Sequence, residues 1–214
     1  MTVKTKILRK HCRALGVNLI GTPSAALTLQ RRPNRPGQHG AGRRAKLSPF
    51  AMQLMETQKL KHYYGVTAKQ LKRYYDRASK SKEQTNVFMV QLLELRLDNM
   101  VYRMGFSPTL RAARQMVVHR HIMVNGKNIN KPSMEVRVGD EITMRDRSKG
   151  IEKYKEWFEL SEQQLGYIQR DGSKMLGKLL QIPAREEIPT VSYTHLRAHE
   201  TRGNIVCRLL LEKK

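Results

Sequence analysis

The 214-residue chain carries 41 Lys and Arg against 18 Asp and Glu, a formal net charge of +23 with a pI near 10.4. A charge of this size repels itself in a compact state, so the fold calls for a polyanionic partner, and so basic a pI is the footprint of nucleic-acid binding rather than of an ordinary soluble protein. No stretch approaches the roughly 18 apolar residues of a bilayer span, and the N-terminal MTVKTKILRKHCRALG lacks the apolar segment of a secretion signal, which leaves the expectation of a protein outside the membrane.

The charge is unevenly placed. Residues 1–55 hold no acid at all, the first being Glu56. Their bases are Lys4, Lys6, Arg9, Lys10, Arg13, Arg31, Arg32, Arg35, Arg43, Arg44 and Lys46. Within them RRPNRPGQHGAGRRAK (31–46) is rich in Pro and Gly without apolar periodicity, and reads as an irregular phosphate-clasping loop. Ser48-Pro49 supplies an N-cap and a Pro at the first helical position, so a helix is expected from Pro49 to Tyr64, ended by Gly65. Thr67 caps a second helix over 68–79, in which Lys69, Lys72, Arg73 and Arg77 alternate with an apolar side of Leu71, Tyr74, Tyr75 and Ala78.

After the polar break 79–86, VFMVQLLELRLDNMVYRMGF (87–106) predicts one long helix, buried through Phe88, Leu92, Leu95, Met100 and Met104 and ended at Gly105. Ser107-Pro108 opens a further helix over 109–120. Residues 122–124, the Asn125-Gly126 turn and 127–130 read as a hairpin closed by a type I′ turn. Pro132 ends it, and 136–138, Gly139-Asp140 and 141–145 repeat the strand–turn–strand pattern. Helix is expected again over 150–165, followed by turn-rich sequence with short strand-like pieces. The fold class is therefore α+β: a mainly helical N-terminal domain with a small module of two helices packed on an antiparallel sheet.

In that module Arg111, Arg114 and Gln115 fall on one helical face, His119 and Arg120 end the helix where cations suit its dipole, and Lys127 follows the hairpin turn. Guanidinium forks on a helix and a hairpin edge suit the shape and phosphates of an RNA helix. Residues 96–142 (RLDNMVYRMGFSPTLRAARQMVVHRHIMVNGKNINKPSMEVRVGDEI) closely resemble the S4 RNA-binding domain, with LELRLDN, VYRMGF, TLRAARQ, IMVNGK, KPS and VGD in family order and spacing. Pseudouridine synthases, tyrosyl-tRNA synthetases and a heat-shock RNA-binding protein carry such a module too. Here the flanks RPGQHGAGRRAKLSPFAMQLMETQKLKHYYGV (35–66) and KMLGKLLQIPAREEI (174–188) resemble the bacterial-type small-subunit ribosomal protein S4 family.

The resemblance implies a protein that docks early on the 5′ domain of small-subunit (16S-type) rRNA, organises a helical junction there, nucleates assembly and influences translational accuracy. Its implied neighbours are ribosomal protein S5, other small-subunit proteins and the region where mRNA enters, in the cytoplasm or, if organellar, the plastid stroma. Charge and resemblance together nominate as rRNA contacts Arg31, Arg32, Arg35, Gln38, His39, Arg43, Arg44, Lys46, Lys59, Lys61, Lys69, Arg73, Arg103, Arg111, Arg114, Gln115, His119, Arg120, Asn125 and Lys127. The domain reading is a basic extension and helical domain over 1–93, the S4 module over 94–157, and a return to the first domain over 158–190.

Two departures qualify the resemblance. Some relatives carry an N-terminal cysteine cluster for zinc or an iron–sulfur centre; here only Cys12 stands in that region, and Cys207 is far off. No metal or other cofactor is expected, since His11-Cys12 has no second pair at finger spacing and His195, His199 and Cys207 lack supporting ligands. The final VSYTHLRAHETRGNIVCRLLLEKK (191–214) departs from the family's ending, resembles tails on unrelated translated fragments, and is expected to be foreign to the protein. An RNA-modifying enzyme recruited by its S4 module would need a catalytic domain, yet no P-loop, GxGxxG or nucleophile–base spacing is present. A DNA-binding helix-turn-helix over 87–120 is disfavoured by the hairpin directly after its would-be recognition helix.

Overall fold

The computed structural model describes residues 9–42, 46–161, 165–172 and 175–188. Chain contacts divide the protein after Lys80 into two compact units. Among the described residues no helix is long and apolar enough to cross a membrane.

The first unit is helical. Two short helices not foreseen from the sequence, α1 (Arg9–Leu15) and α2 (Pro23–Arg31), pack together ahead of α3 (Pro49–Tyr63) and α4 (Ala68–Ala78). The starts of the latter two are written locally. The Ser48 side chain accepts from the Ala51 amide at 3.2 Å, and Thr67 forms a reciprocal capping box with Gln70. Cys12, Ala25, Leu60, Tyr64, Leu71 and Ala78 are buried, a small core for a unit so rich in charge. The Cys12 thiol is free. Tyr74 and Tyr75, expected on the apolar side of α4, are half-buried.

The second unit holds α5 (Thr85–Glu94), α6 (Leu97–Arg103), α7 (Leu110–Val118), β1 (Ile122–Val124), β2 (Lys127–Asn128), β3 (Glu141–Met144), α8 (Asp146–Lys149), α9 (Glu152–Leu160), β4 (Ile168–Asp171) and β5 (Leu176–Leu179). The strands form one antiparallel sheet in the order β2-β1-β3-β5-β4. Its core includes Leu97, Met100, Met104, Val117, Ile142 and Phe158, the last in ring contact with Phe106 at 4.9 Å between centroids. Asn125 (φ 48) and Gly126 (φ 75) both take the left-handed region that the expected type I′ turn requires. Gly105 (φ 84) ends α6 as expected; a Cβ there would also overlap the Ser161 hydroxyl.

Three expectations are corrected. The long helix over 87–106 is two helices, because Arg96 is extended (φ −67, ψ 138) and its neighbours' backbone groups are taken by residues 132–136. The Val136 amide donates to Leu95 O at 2.8 Å, the Leu97 amide to Met134 O at 2.8 Å and the Asp98 amide to Pro132 O at 3.1 Å. For the same reason 136–138 is not a hairpin strand: Glu135 makes an isolated bridge to Arg96, and β3 pairs instead with β1 and β5. Through β4 and β5 the described part of residues 158–190 completes the sheet of the second unit, which runs from Ser81 to Pro189, and the Gln91 side chain of α5 donates to Pro183 O at 3.2 Å. The helix expected over 150–165 is shorter, α9 ending at Leu160, and the tail 191–214 lies outside the described residues.

At the α5–α6 break the second unit buries two ion pairs. The Arg103 guanidinium donates to both carboxylate oxygens of Glu94, at 2.8 and 3.2 Å, and the Asn99 amide donates to the Glu94 carbonyl at 3.1 Å as well as to its carboxylate. Removing one member of such a pair strands a charge in the interior, whereas replacing both with apolar side chains of similar size does not. Glu94→Ala is therefore expected to destabilise the second unit by about 3–5 kcal/mol, and the double variant Glu94→Met/Arg103→Met to regain most of that loss. Urea denaturation of the three proteins measures both.

Candidate nucleic-acid interface

In the first unit the basic surface begins where α2 ends. The following turn contains Pro33, Pro36 and the one-turn 3-10 helix Gln38–Ala41, and it has little regular backbone pairing of its own. Gly37 stands at φ 106, and Gly40 approaches the Arg35 carbonyl so closely that a Cβ would overlap it. From α1 the Arg13 guanidinium donates to the carbonyls of Arg32, Asn34 and Arg35 at 3.2, 3.1 and 3.3 Å. Held in this way, Arg31, Arg32, Arg35, Gln38 and His39 present a basic edge on an acid-free stretch, which the exposed Lys46 continues. Arg43 and Arg44 lie outside the described residues.

On α4, Lys69 and Arg73 are exposed one turn apart, opposite buried Leu71 and Ala78. Arg77 continues the same stripe and is exposed too; the four-residue spacing was the signal for it, although it was not among the nominated contacts. Lys59 and Lys61 on α3 are half-buried, and Lys59 is paired with Glu56 at 2.6 Å, so neither stands out from the surface as the α4 side chains do. Beside Lys61, the His62 ring packs 5.1 Å from that of His11. Burial, then the charges of Lys61 and His11, hold the His62 pKa down to about 4, so this imidazole is neutral at physiological pH and adds nothing to the cationic surface.

In the second unit α7 carries the other surface. The Thr109 hydroxyl caps it by accepting from the Ala112 amide at 3.2 Å, and buried Ala113, Met116 and Val117 fix which side faces outward. Arg111, Gln115 and His119 are exposed on that side, and the helix has no acid. Arg114 is held at its edge: the guanidinium donates to the Asp98 carboxylate at 3.0 Å, and that carboxylate also receives both forks of buried Arg96, at 3.0 and 2.7 Å. Arg120 ends the helix in the left-handed region (φ 61), with its amide on Val117 O and the His121 amide on Met116 O, both at 3.0 Å. The His119 and His121 rings stack 6.1 Å apart, and His121 Nδ1 lies 2.9 Å from the Ser148 hydroxyl. Burial, His119 and Arg145 lower the His121 pKa, which favours its neutral form.

Lys127 is exposed at the start of β2. Asn125, though exposed, has both ends of its amide engaged, donating to Asp140 at 2.8 Å and accepting from the Glu141 amide at 2.9 Å; it braces the turn against β3. Arg103 is corrected outright: its side chain is 2% exposed and closed on Glu94, so it is part of the interior and not of an RNA-facing surface. Arg13 was missed, because a residue that acts through backbone carbonyls leaves no spacing pattern in the sequence.

Two arginine-bearing surfaces on small folded units, one on an acid-free irregular turn and the other on an acid-free helix with the hairpin that follows it, define a structural nucleic-acid-binding protein. Residues 5–94 match the family described as Ribosomal protein S4/S9 N-terminal domain, and residues 95–142 match the S4 domain. The chain is 42% identical over 181 residues to small ribosomal subunit protein uS4 of Geobacillus sp. (strain WCH70), covering 85% of this chain and 89% of that protein. It is 47% identical over 178 residues to small ribosomal subunit protein uS4 of Limosilactobacillus fermentum, covering 82% and 87%. The chain belongs to this uS4 family of rRNA-binding proteins of the small ribosomal subunit, which are structural and not enzymes.

A left-handed conformation is unfavourable for arginine by about 1 kcal/mol and costs glycine nothing comparable. Arg120→Gly is therefore expected to raise stability in thermal or urea unfolding while weakening binding to small-subunit rRNA. A variant that gains stability and keeps full affinity would remove Arg120 from the interface.

Proposed function

We propose that this protein binds the 5′ domain of small-subunit rRNA, organises a helical junction there and helps nucleate subunit assembly. The observation that carries the reading is the α7 surface: Arg111, Gln115, His119 and Arg120 exposed on an acid-free helix, continued by Lys127 beyond the hairpin turn. Fork-shaped donors at helical spacing match closely packed phosphates and the shallow minor groove of an RNA helix. Aromatic residues make up only 6% of the chain, which supports grip on a folded duplex junction over stacking along a single strand. Contacts with ribosomal protein S5 and with the region where mRNA enters, an influence on translational accuracy, and residence on cytoplasmic or plastid ribosomes extend the same reading, supported by membership of the family.

Binding carried by phosphate neutralisation weakens steeply with salt, because each neutralised phosphate releases counterions. Filter binding with a 5′-domain transcript is expected to show this, and Arg35→Glu and Arg111→Glu are each expected to weaken binding by about tenfold or more. Charge reversal at Lys153 and Lys155 is expected to change it by no more than about twofold, since these lie on α9 among Glu152, Glu156 and Glu159. Affinity that does not change between low and high salt would overturn the reading.

A further inference from the structure

The turn that presents Arg31, Arg32 and Arg35 has a difficulty of its own. Three guanidinium groups stand within five residues of one another and none of them has an acid on the same stretch. Left to itself such a segment spreads apart, and binding RNA would then have to order it at a cost in conformational entropy. Its own backbone hydrogen bonds are short-range: the Arg32 amide donates to Thr28 O at 3.0 Å, the Gly40 amide to Gly37 O at 3.2 Å and the Gly42 amide to His39 O at 3.1 Å. The carbonyls of Arg32, Asn34 and Arg35 instead converge on one group, the Arg13 guanidinium, through Nε and one terminal nitrogen.

We propose that Arg13 is a positioning residue for rRNA binding, which fixes the Arg32–Ala41 turn in its bound shape without itself contacting phosphate. Its charge is directed into three carbonyl dipoles, and the residue is half-buried. Its own helix is tied to α2 by Arg9, whose guanidinium donates to the Ser24 hydroxyl at 2.7 Å, so the clasp is anchored at its base. Gly40 fits the same geometry from the other side. It packs against the Arg35 carbonyl that Arg13 holds, in a space where a Cβ does not fit. A lysine is no substitute for this arginine, because one ammonium on a flexible stem does not present the planar fork that spans successive carbonyls.

The inference rests on the rRNA-binding reading, and the test has two arms that separate them. Full-length protein, Arg13→Gln, Arg13→Lys and Gly40→Ala are compared by filter binding to small-subunit rRNA across a salt series, and by amide hydrogen exchange without RNA. The expected result is that all three variants bind about tenfold more weakly with an unchanged salt slope, because an ordering cost of about 1.4 kcal/mol is added while every phosphate contact is kept. Amides between Arg32 and Ala41 exchange faster in the variants, while those of α4 keep their protection. Full affinity for Arg13→Lys, or a salt slope reduced by about one in Arg13→Gln, would make Arg13 a phosphate contact and overturn the proposal. So would unchanged exchange across the turn. Failure of the intact protein to bind rRNA would count against the rRNA-binding reading alone, since the exchange arm reads the clasp without RNA.

Discussion

The second unit depends on the Asp98 carboxylate. It is 2% exposed, and it is the point where a buried arginine, Arg96, and a surface arginine, Arg114, meet. A buried guanidinium is tolerable only with a well-aligned counter-charge, and Asp98 supplies one two residues on. Arg96 sits inside because the helix breaks there, and the break is held by backbone hydrogen bonds to residues 132–136. Asp98 then reaches across to α7 through Arg114, so the interior that positions α6 also fixes the helix presenting Arg111, Gln115 and His119. Glu94 and Arg103 perform the parallel task on the other side of the break. In this way two acids of the second unit lie inside, where they set geometry, and the α7 helix itself carries none.

The same logic operates in the first unit with a different counter-group. No acid is available before Glu56, so the charge of Arg13 is met by backbone carbonyls. Carbonyl dipoles orient a guanidinium without neutralising it, which leaves the turn fully cationic while its backbone is held. Both units thus organise exposed arginines through a buried or half-buried arginine: Arg96 beneath α7, and Arg13 beneath the turn after α2.

Local signals were readable where the structure is local. Ser48-Pro49, Thr67 with Gln70, Asn125-Gly126 and Gly105 each determine backbone geometry within a few residues, and each does in the structure what its sequence implies. The break at Arg96 was not readable, because LELRLDN contains no Gly or Pro and its apolar spacing continues through the break; the cause lies far along the chain, in residues 132–136. The pairing of β3 with β5 was hidden for the same reason, since a hairpin over 136–145 satisfies local rules equally well. Among the nominated contacts, charge alone separated basic from acidic stretches well. It did not separate Arg103, which faces Glu94 inside, from Arg111, which faces outward, because a cation's burial is decided by its partner and not by its sign.

On the proposed function, rRNA is gripped by the turn after α2, the α4 stripe and the α7 surface with its hairpin, and not by the mixed-charge α9. Lysine-selective chemical modification of the protein, free and bound to small-subunit rRNA, followed by mass spectrometry, tests this directly. Lys46, Lys69, Lys127, Lys153 and Lys155 are all exposed in the free chain and report on both kinds of surface. Bound RNA is expected to protect Lys46, Lys69 and Lys127 while Lys153 and Lys155 remain reactive. Protection of Lys153 and Lys155 with Lys69 and Lys127 still reactive would contradict it.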